Sequence, residues 1–452
     1  MTDDLLTAYI VDKDGATIQV TNFTEYSLER DFFIAADGFS LVIGDDRASK
    51  LYSILKGGCE IHFDINDRPQ LHGYIDKFHM SNSRHGGKVL TINGRDALGQ
   101  MSDAICAPNM IPPGQQSFNP LQFKTTTTLK QALTTIFGCF GLTNLQIDDS
   151  ADLTIGSGGK FGVKAKGKKR KGLIKNLSKN IAKNCRPNQN EGYLEYAMRL
   201  CKHNGIFIKL NLDNKGNPQI LVNPPTYDRN SAPVYTLFAL EDPTDTRTNI
   251  LDSVASVDYA HQVTCLVVEA TFNGGNYHRD SKKVIAVNEL TGYKVDSKGN
   301  LTNTYLDSVQ AFITATTGKN GYLVLDANTD LQNAVPLSVV GITNGICRPQ
   351  FRKDDYAHSI DQLQFFASAK LSELQNRFFG LQYNVQGHSN NGVLWQPNTL
   401  VSVLDQTLDP SNPVAGNYWI QRRVFTKSRQ GGTKTSLMLR LPNIYQLDVT
   451  DE

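Results

Sequence analysis

A chain of 452 residues carries 46 lysines and arginines against 44 aspartates and glutamates, a formal net charge of +2. That balance excludes a surface built to coat nucleic acid, which needs a large excess of basic residues. With 40% hydrophobic and 20% charged residues the chain lies far from the disordered range, and its length predicts two to four domains with cores of their own.

The opening Met-Thr-Asp-Asp-Leu-Leu has no basic region and no apolar core, so no secretory signal is expected. No run approaches the roughly 18 apolar residues of a membrane span, and stable membrane insertion is not expected. Cys59, Cys106, Cys139, Cys185, Cys201, Cys265 and Cys347 form no CxxC pair and are expected as reduced thiols packed as small hydrophobes.

The first hundred residues read as short strands separated by turn chemistry. Leu5 to Val11 and Thr17 to Val20 flank Asp12-Lys13-Asp14-Gly15, a hairpin with an Asp-Gly turn. Phe39 to Ile43, Cys59 to Ile65, Leu71 to Phe78 and Lys88 to Ile92 continue the alternation. Asn66-Asp67-Arg68-Pro69 and Ser83-Arg84-His85-Gly86-Gly87 supply further turns. Five or six such strands predict a small closed antiparallel barrel or a sandwich.

The pattern changes near Ala104. Thr128 to Phe140 places Leu129, Leu133, Ile136 and Phe137 on one helical face. Gly192 to His203 aligns Tyr193, Tyr196, Ala197 and Leu200, with Asn204-Gly205 as its stop. A hairpin follows, Gly205 to Leu212 and Pro218 to Val222 around Asp213-Asn214-Lys215-Gly216. Strands return at Ser253 to Tyr259 and Gln262 to Thr271, while 273–349 yields no placed elements. Asp361 to Arg377 reads as the longest helix, burying Leu363, Phe366, Ala367, Leu371, Leu374 and Phe378. Gly380 to Gln386, Leu400 to Leu404, Tyr418 to Ser428 and Thr433 to Leu441 are strands.

Few motifs point to chemistry. Ile155 to Lys160 (IGSGGK) fails the GxxxxGK[ST] phosphate loop, and no GxSxG, HExxH or Rossmann glycine pattern occurs. His72 and His79 flank one strand without a recognisable third ligand, so no metal site is expected, and His85 and His388 read as turn or surface residues. The adjacent pairs Asp45-Asp46, Asp148-Asp149 and Asp354-Asp355 diverge in direction and read as solvated turns, not as a glycosidase pair. No catalytic residue and no cofactor is expected.

The sharpest local feature is basic. Lys164, Lys166, Lys168, Lys169, Arg170, Lys171, Lys175, Lys179 and Lys183 run without an acidic residue. Leu173, Ile174, Leu177 and Ile181 predict a helix in its second half, with Lys175, Lys179 and Lys183 as a cationic stripe. A solvated insertion explains it, as does contact with an anionic protein surface or DNA backbone. Arg422 and Arg423, beside Trp419 and Phe425, have an interface-like composition, and alternation allows only one of the two to face a partner.

Two passages resemble phage hub proteins of the late control D group, such as the Mu tail hub and the T4 baseplate hub. Val89 to Asp103 (VLTINGRDALGQMSD), with Gly94, Arg95 and Asp96, resembles the junction that closes their N-terminal barrel. Val385 to Leu441 resembles their C-terminal module, with Gly387, His388, Trp395 and Pro397 as its landmarks. Gly192 to Asn223 resembles their amphipathic helix and hairpin, although Pro187-Asn188-Gln189-Asn190-Glu191 stands where Pro-Gly-Glu-Thr is usual.

The resemblance implies a mainly β fold with α+β insertions, in which two small antiparallel β-barrels flank a mixed α+β middle. The expected division is an N-terminal β-barrel at 1–105 and an α+β middle domain at 106–250 carrying the Lys-rich insertion 160–184. A mixed β/α domain at 251–385 with the helix 361–378 and a C-terminal β-barrel module at 386–452 complete it. It implies a homotrimeric ring, without enzymatic activity, that adapts the hexameric tail tube above to a trimeric spike below in the baseplate of a phage tail or related contractile injection system. DNA passes its lumen transiently, and wedge and tape-measure proteins are further expected neighbours. Assembly would occur in the host cytoplasm. Two alternatives stand beside it, a VgrG-like spike component of a type VI or virulence-cassette system and a tail-associated peptidoglycan hydrolase.

Overall fold

Alternating burial along short runs builds most of the molecule. The computed structural model describes residues 4–12, 14–21, 23–55, 57–84, 87–106, 121, 123, 129–147, 187–202, 207–213, 215–223, 232–242, 244–258, 265–273, 279–287, 294–295, 301–302, 323–326, 349–353, 367, 370, 374, 379–408 and 414–440. The N-terminal part comprises β1 (Leu6–Val11), β2 (Thr17–Val20), β3 (Glu25–Asp31), β4 (Gly38–Gly44), α1 (Asp45–Ile54), β5 (Glu60–Ile65), β6 (Arg68–Ser83), β7 (Gly87–Asp96) and α2 (Gly99–Asp103). The central part holds α3 (Leu129–Gly138), β8 (Leu145–Ile147), α4 (Tyr193–Lys202), β9 (Phe207–Leu212), β10 (Pro218–Asn223), β11 (Tyr235–Ala239) and β12 (Ile250–Val257). Next come β13 (Cys265–Asn273), β14 (Arg279–Val287), β15 (Lys294–Val295), β16 (Leu301–Thr302), β17 (Leu323–Asp326) and β18 (Pro349–Lys353). The chain then gives β19 (Phe379–Gln386), β20 (Ser389–Asn390), β21 (Val393–Leu394), β22 (Leu400–Asp405), β23 (Val414–Ser428) and β24 (Gly432–Arg440).

Thirteen strands form one sheet in the order β12-β19-β24-β23-β3-β4-β7-β6-β5-β1-β2, with β22 also on β23 and β11 on β22. The fold is mainly β, as expected. Two separate closed barrels are not what the described strands record. No pairing among them closes a circle, and the two ends of the chain meet in one sheet through antiparallel β3 and β23. Their apolar faces share a core. Ile10, Leu41, Phe63 and Ile92 from the first half pack in the same cluster as Tyr383, Ile420, Phe425 and Leu437 from the second.

A second core lies under the central helices. Leu129, Leu133, Ile136 and Phe137 of α3 are buried as their spacing predicts, beside Tyr196, Ala197 and Leu200 of α4 and Ile208, Leu210, Ile220 and Val222 of the β9–β10 hairpin. A further sheet, β17-β14-β13-β18, is formed by strands of 265–353.

Turn chemistry behaves as the residues dictate. Asn66 and Asp67 both take positive φ, 51° and 60°, giving β5 and β6 the two-residue turn whose twist suits a hairpin. The Asp12 carboxylate accepts from the Asp14 and Ala16 amides at 2.9 and 2.8 Å, closing the β1–β2 turn.

β3 and α1 are among the elements that escape the sequence reading. β3 (EYSLERD) carries only Tyr26 and Leu28 as buried hydrophobes among charged residues. α1 begins at Asp45-Asp46, taken for a turn, and buries Ala48 and Leu51 against the core. Of the helix expected at 361–378, Ala367, Lys370 and Leu374 are helical and the other residues lie outside the described ones. Ala367 and Leu374 are buried, matching the predicted inward face. The IGSGGK loop, Asp148-Asp149, Asp354-Asp355 and His85 also lie outside the described residues. The described cysteine side chains, Cys59, Cys106, Cys139 and Cys201, are free.

β6 and β7 approach so closely that glycine is required. A Cβ on Gly94 would sit 2.1 Å from the Tyr74 carbonyl oxygen and 2.5 Å from the Phe39 ring. Gly94→Ala is expected to cost about 1–3 kcal/mol through overpacking. Urea unfolding of the full chain checks this, and an unchanged midpoint contradicts it.

Candidate functional site

Arg422, Arg423 and His388, all marked by the sequence, lie at the seam where the two ends of the chain join. β3 and β23 pair in the register Asp31↔Arg422, Arg30↔Arg423, Glu29↔Val424 and Leu28↔Phe425. Successive side chains alternate, so the two neighbouring arginines part ways. Arg422 turns outward to an ion pair with Glu29 at 2.6 Å. Arg423 turns inward and is 2% exposed, its guanidinium 3.6 Å from the Phe425 ring centroid and donating to Gln70 Oε1 at 3.1 Å. Arg423 thus meets its own chain and not a partner.

Around it lies a buried charge cluster. Arg30 donates to Asp37 Oδ2 at 3.2 Å, to Gln396 Oε1 at 3.1 Å and to the Leu210 carbonyl at 2.9 Å. The Asp96 amide donates to the Asp37 carbonyl at 2.8 Å. Burial disfavours charge on Asp37, Asp96 and Arg423. It pushes Asp37 up to about 6 against the pull of Arg30, and it raises Asp96 with help from neighbouring Asp37. Burial and the facing Arg30 lower Arg423.

The GRD motif is built into this cluster's edge. Arg95 clamps Asp76 at 2.7 Å and Asp103 at 2.9 and 2.5 Å, tying β7 to β6 and α2. Asp96 accepts the Leu98 amide at 2.9 Å and so starts the turn into α2. Arg95 and Asp96 thus hold β7 to its neighbours.

His388, expected at a turn surface, is fully buried. Its partners fix its protonation. Thr435 Oγ1 donates to the Gly387 carbonyl at 2.5 Å, which leaves the hydroxyl oxygen of Thr435 to accept from His388 Nδ1 at 3.1 Å. Nε2 then accepts from the Tyr26 hydroxyl at 2.7 Å. The His388 amide donates to Asp4 Oδ2 at 2.5 Å, and Asp4 Oδ1 accepts from Asn66 at 2.9 Å. Gly387 supplies a φ of +75°. Burial first and Arg423 second press the His388 pKa down to about 3. Trp395 is buried on Tyr235, with ring centroids 4.5 Å apart.

Pro397 and Gln396 line a pocket of about 130 Å³ with Arg30, Asp37 and Lys209. Lys209 lies 4.7 Å from the Phe32 ring, and burial, then Arg30, lowers it to about 8. The expected landmark residues of both ends thus meet in one region. Arg30, Asp37, Gln70, Tyr26 and Asp4 complete it and were missed. Lys164, Lys166, Lys168, Lys169, Arg170, Lys171, Lys175, Lys179 and Lys183 lie outside the described residues.

Residues 11–96 match the family model described as Mu phage baseplate assembly protein GpP-like, N-terminal. Residues 374–444 match the model described as tail protein, C-terminal domain. The chain is similar to the solved tail protein from Neisseria meningitidis MC58, at 18% identity over 98% of each chain with a TM-score of 0.61. It is also similar to the 43 kDa tail protein of prophage MuSo2 from Shewanella oneidensis, at 14% identity over 98% of this chain and 99% of that one, with a TM-score of 0.57. None of the curated proteins matches it. Each end is thus similar to a segment of a tail or baseplate protein, and over nearly the whole chain the fold is similar to that of solved tail proteins.

His388 generates a pH signature. Its folded pKa of about 3 lies below the ordinary 6.5, so the unfolded chain binds the extra proton first and stability falls as pH drops below about 6.5. From pH 7 to 5 the loss is about 2 kcal/mol. His388→Gln is expected to remove that slope in urea titrations at the two pH values, whatever its absolute stability. An equal slope in both proteins contradicts the assignment.

Proposed function

We propose that this chain is the central hub subunit of a phage tail baseplate. In this reading it assembles as a homotrimeric ring in the virion tail, between the hexameric tail tube and a trimeric spike. The role is structural, with no turnover. The observation that carries it is the fusion of two tail-protein segments, one from each end, into a single sheet through β3 and β23.

A ring that joins sixfold to threefold symmetry needs two comparable modules per subunit, because three copies then offer six. The sheet divides at the seam into two such halves. One is β4-β7-β6-β5-β1-β2 and the other is β24-β19-β12 with β22 and β11. We read these halves as the barrel-like modules of the hub.

Among the described strands, β2 and β12 end the main path. β12 also presents exposed Leu251 and Val254. An edge of this kind pairs with a neighbouring chain when nothing else covers it. The enclosed channel would pass DNA, with tape-measure and wedge proteins as further neighbours. The basic run Lys164–Lys183 would meet an anionic protein surface or the DNA backbone.

Light scattering on the purified chain, alone and with the spike, tests the ring. A trimer seen as an annulus by negative-stain microscopy is expected, and a monomer under all these conditions overturns the reading. A zymogram on peptidoglycan should stay uncleared. Replacing Lys168, Lys169, Arg170 and Lys171 together by serine should weaken assembly most at low salt, where unscreened charge acts furthest. Assembly unchanged at every ionic strength removes the anionic contact from the proposal.

A further inference from the structure

Away from the seam, three potential metal ligands share one face of the N-terminal hairpin. Glu60 and His62 are two apart on β5 and so project to the same side. His72 on β6 is the direct cross-strand partner of His62. Glu60 Oε1 lies 2.5 Å from His72 Nε2 and 3.1 Å from His62 Nε2. The two imidazole centroids are 4.1 Å apart, and the three ligand atoms lie within 4.8 Å of one another.

The protonation pattern at His72 is the telling feature. Its Nδ1 lies 3.3 Å from the Gly216 carbonyl oxygen. A carbonyl only accepts, so the proton sits on Nδ1. In the neutral ring Nε2 then carries a lone pair, aimed at a carboxylate oxygen that also carries lone pairs. A cation held between the two satisfies both lone pairs.

We propose that Glu60, His62 and His72 form a divalent metal site, with Zn²⁺ as the fitting ion. Two neutral imidazole nitrogens and one carboxylate oxygen are ligands zinc takes, each bond being about 2.0–2.2 Å. The tetrahedral spacing of such ligands is about 3.3 Å, so the pair at 2.5 Å opens by under an ångström when the ion enters. A pocket of about 260 Å³, lined by His62, Asp64, Leu71 and Gly216, lies beside His62, with room for a water. The Gly216 carbonyl orients His72 from behind, as outer partners of metal-bound histidines do.

Gly216 belongs to the turn between β9 and β10. The metal therefore clasps this hairpin of the second core onto the large sheet. Its role is a staple, not catalysis.

The test uses the full chain, freed of metal with a chelator and then titrated with Zn²⁺ or Co²⁺. One equivalent should bind, raise the thermal midpoint, and give Co²⁺ the visible absorption of a tetrahedral site. His72→Ala and Glu60→Gln should each weaken binding roughly tenfold or more, while His79→Ala on the same strand should not. Circular dichroism establishes that each variant is folded, and Glu60→Gln serves if His72→Ala is not. No stoichiometric binding by the wild type, or equal binding after either ligand substitution, overturns the site.

Discussion

The pairing of β3 with β23 is the constraint on which the other parts depend, because it makes one sheet from the two ends of the chain. Strands from opposite termini lie at its middle, while β2 and β12 end the main path and β11 ends its branch. Closing so long a loop is tolerable, since the entropy cost rises by only about 0.6 kcal/mol for each doubling of length. Its kinetic consequence is larger. β3 stays an open edge until β23 has been made, and such non-local pairing is slow. Glu29 and Arg30 on that edge are the kind of charge that discourages premature pairing with another chain.

The seam's charges select a register more than they add stability. Buried ion pairs return little net energy, whereas removing one partner costs about 3–5 kcal/mol. A slip of one residue would turn Arg422 inward, away from Glu29, and carry Arg423 out from Gln70. Both errors leave unpaired charge, so the correct register is separated from its neighbours. His388 adds a second lock, because its hydrogen bonds reach Tyr26 on β3, Asp4 before β1 and Thr435 on β24 together.

What was legible in the sequence was local. Alternation revealed β4, β5, β22 and β24, and helical spacing found α3 and α4. The GRD motif was visible because its chemistry is short-range: Gly94 makes room, Asp96 starts the next turn. Interior polarity was not legible. β3 looked too charged for a strand because the partners of Arg30 come from distant segments. Arg423 and His388 looked like surface residues for the same reason. The Glu60, His62 and His72 cluster depends on a bulge between Phe63 and Asp64. A regular hairpin from the Asn66-Asp67 turn would place His62 opposite Leu71 and send His72 to the other face. One irregular residue decides the site, and no pattern of residue types announces it.

The β9–β10 hairpin links these features. At one end Arg30 donates to the Leu210 carbonyl beside the seam, and Phe207 packs with Phe32 and Trp419. At its turn the Gly216 carbonyl meets His72. Both polar attachments use backbone oxygens of the hairpin, and a backbone oxygen is present whatever side chain the residue carries. The second core is thus held to the sheet by groups that sequence change within the hairpin leaves in place. Its outward side chains can change while its seating on the sheet persists.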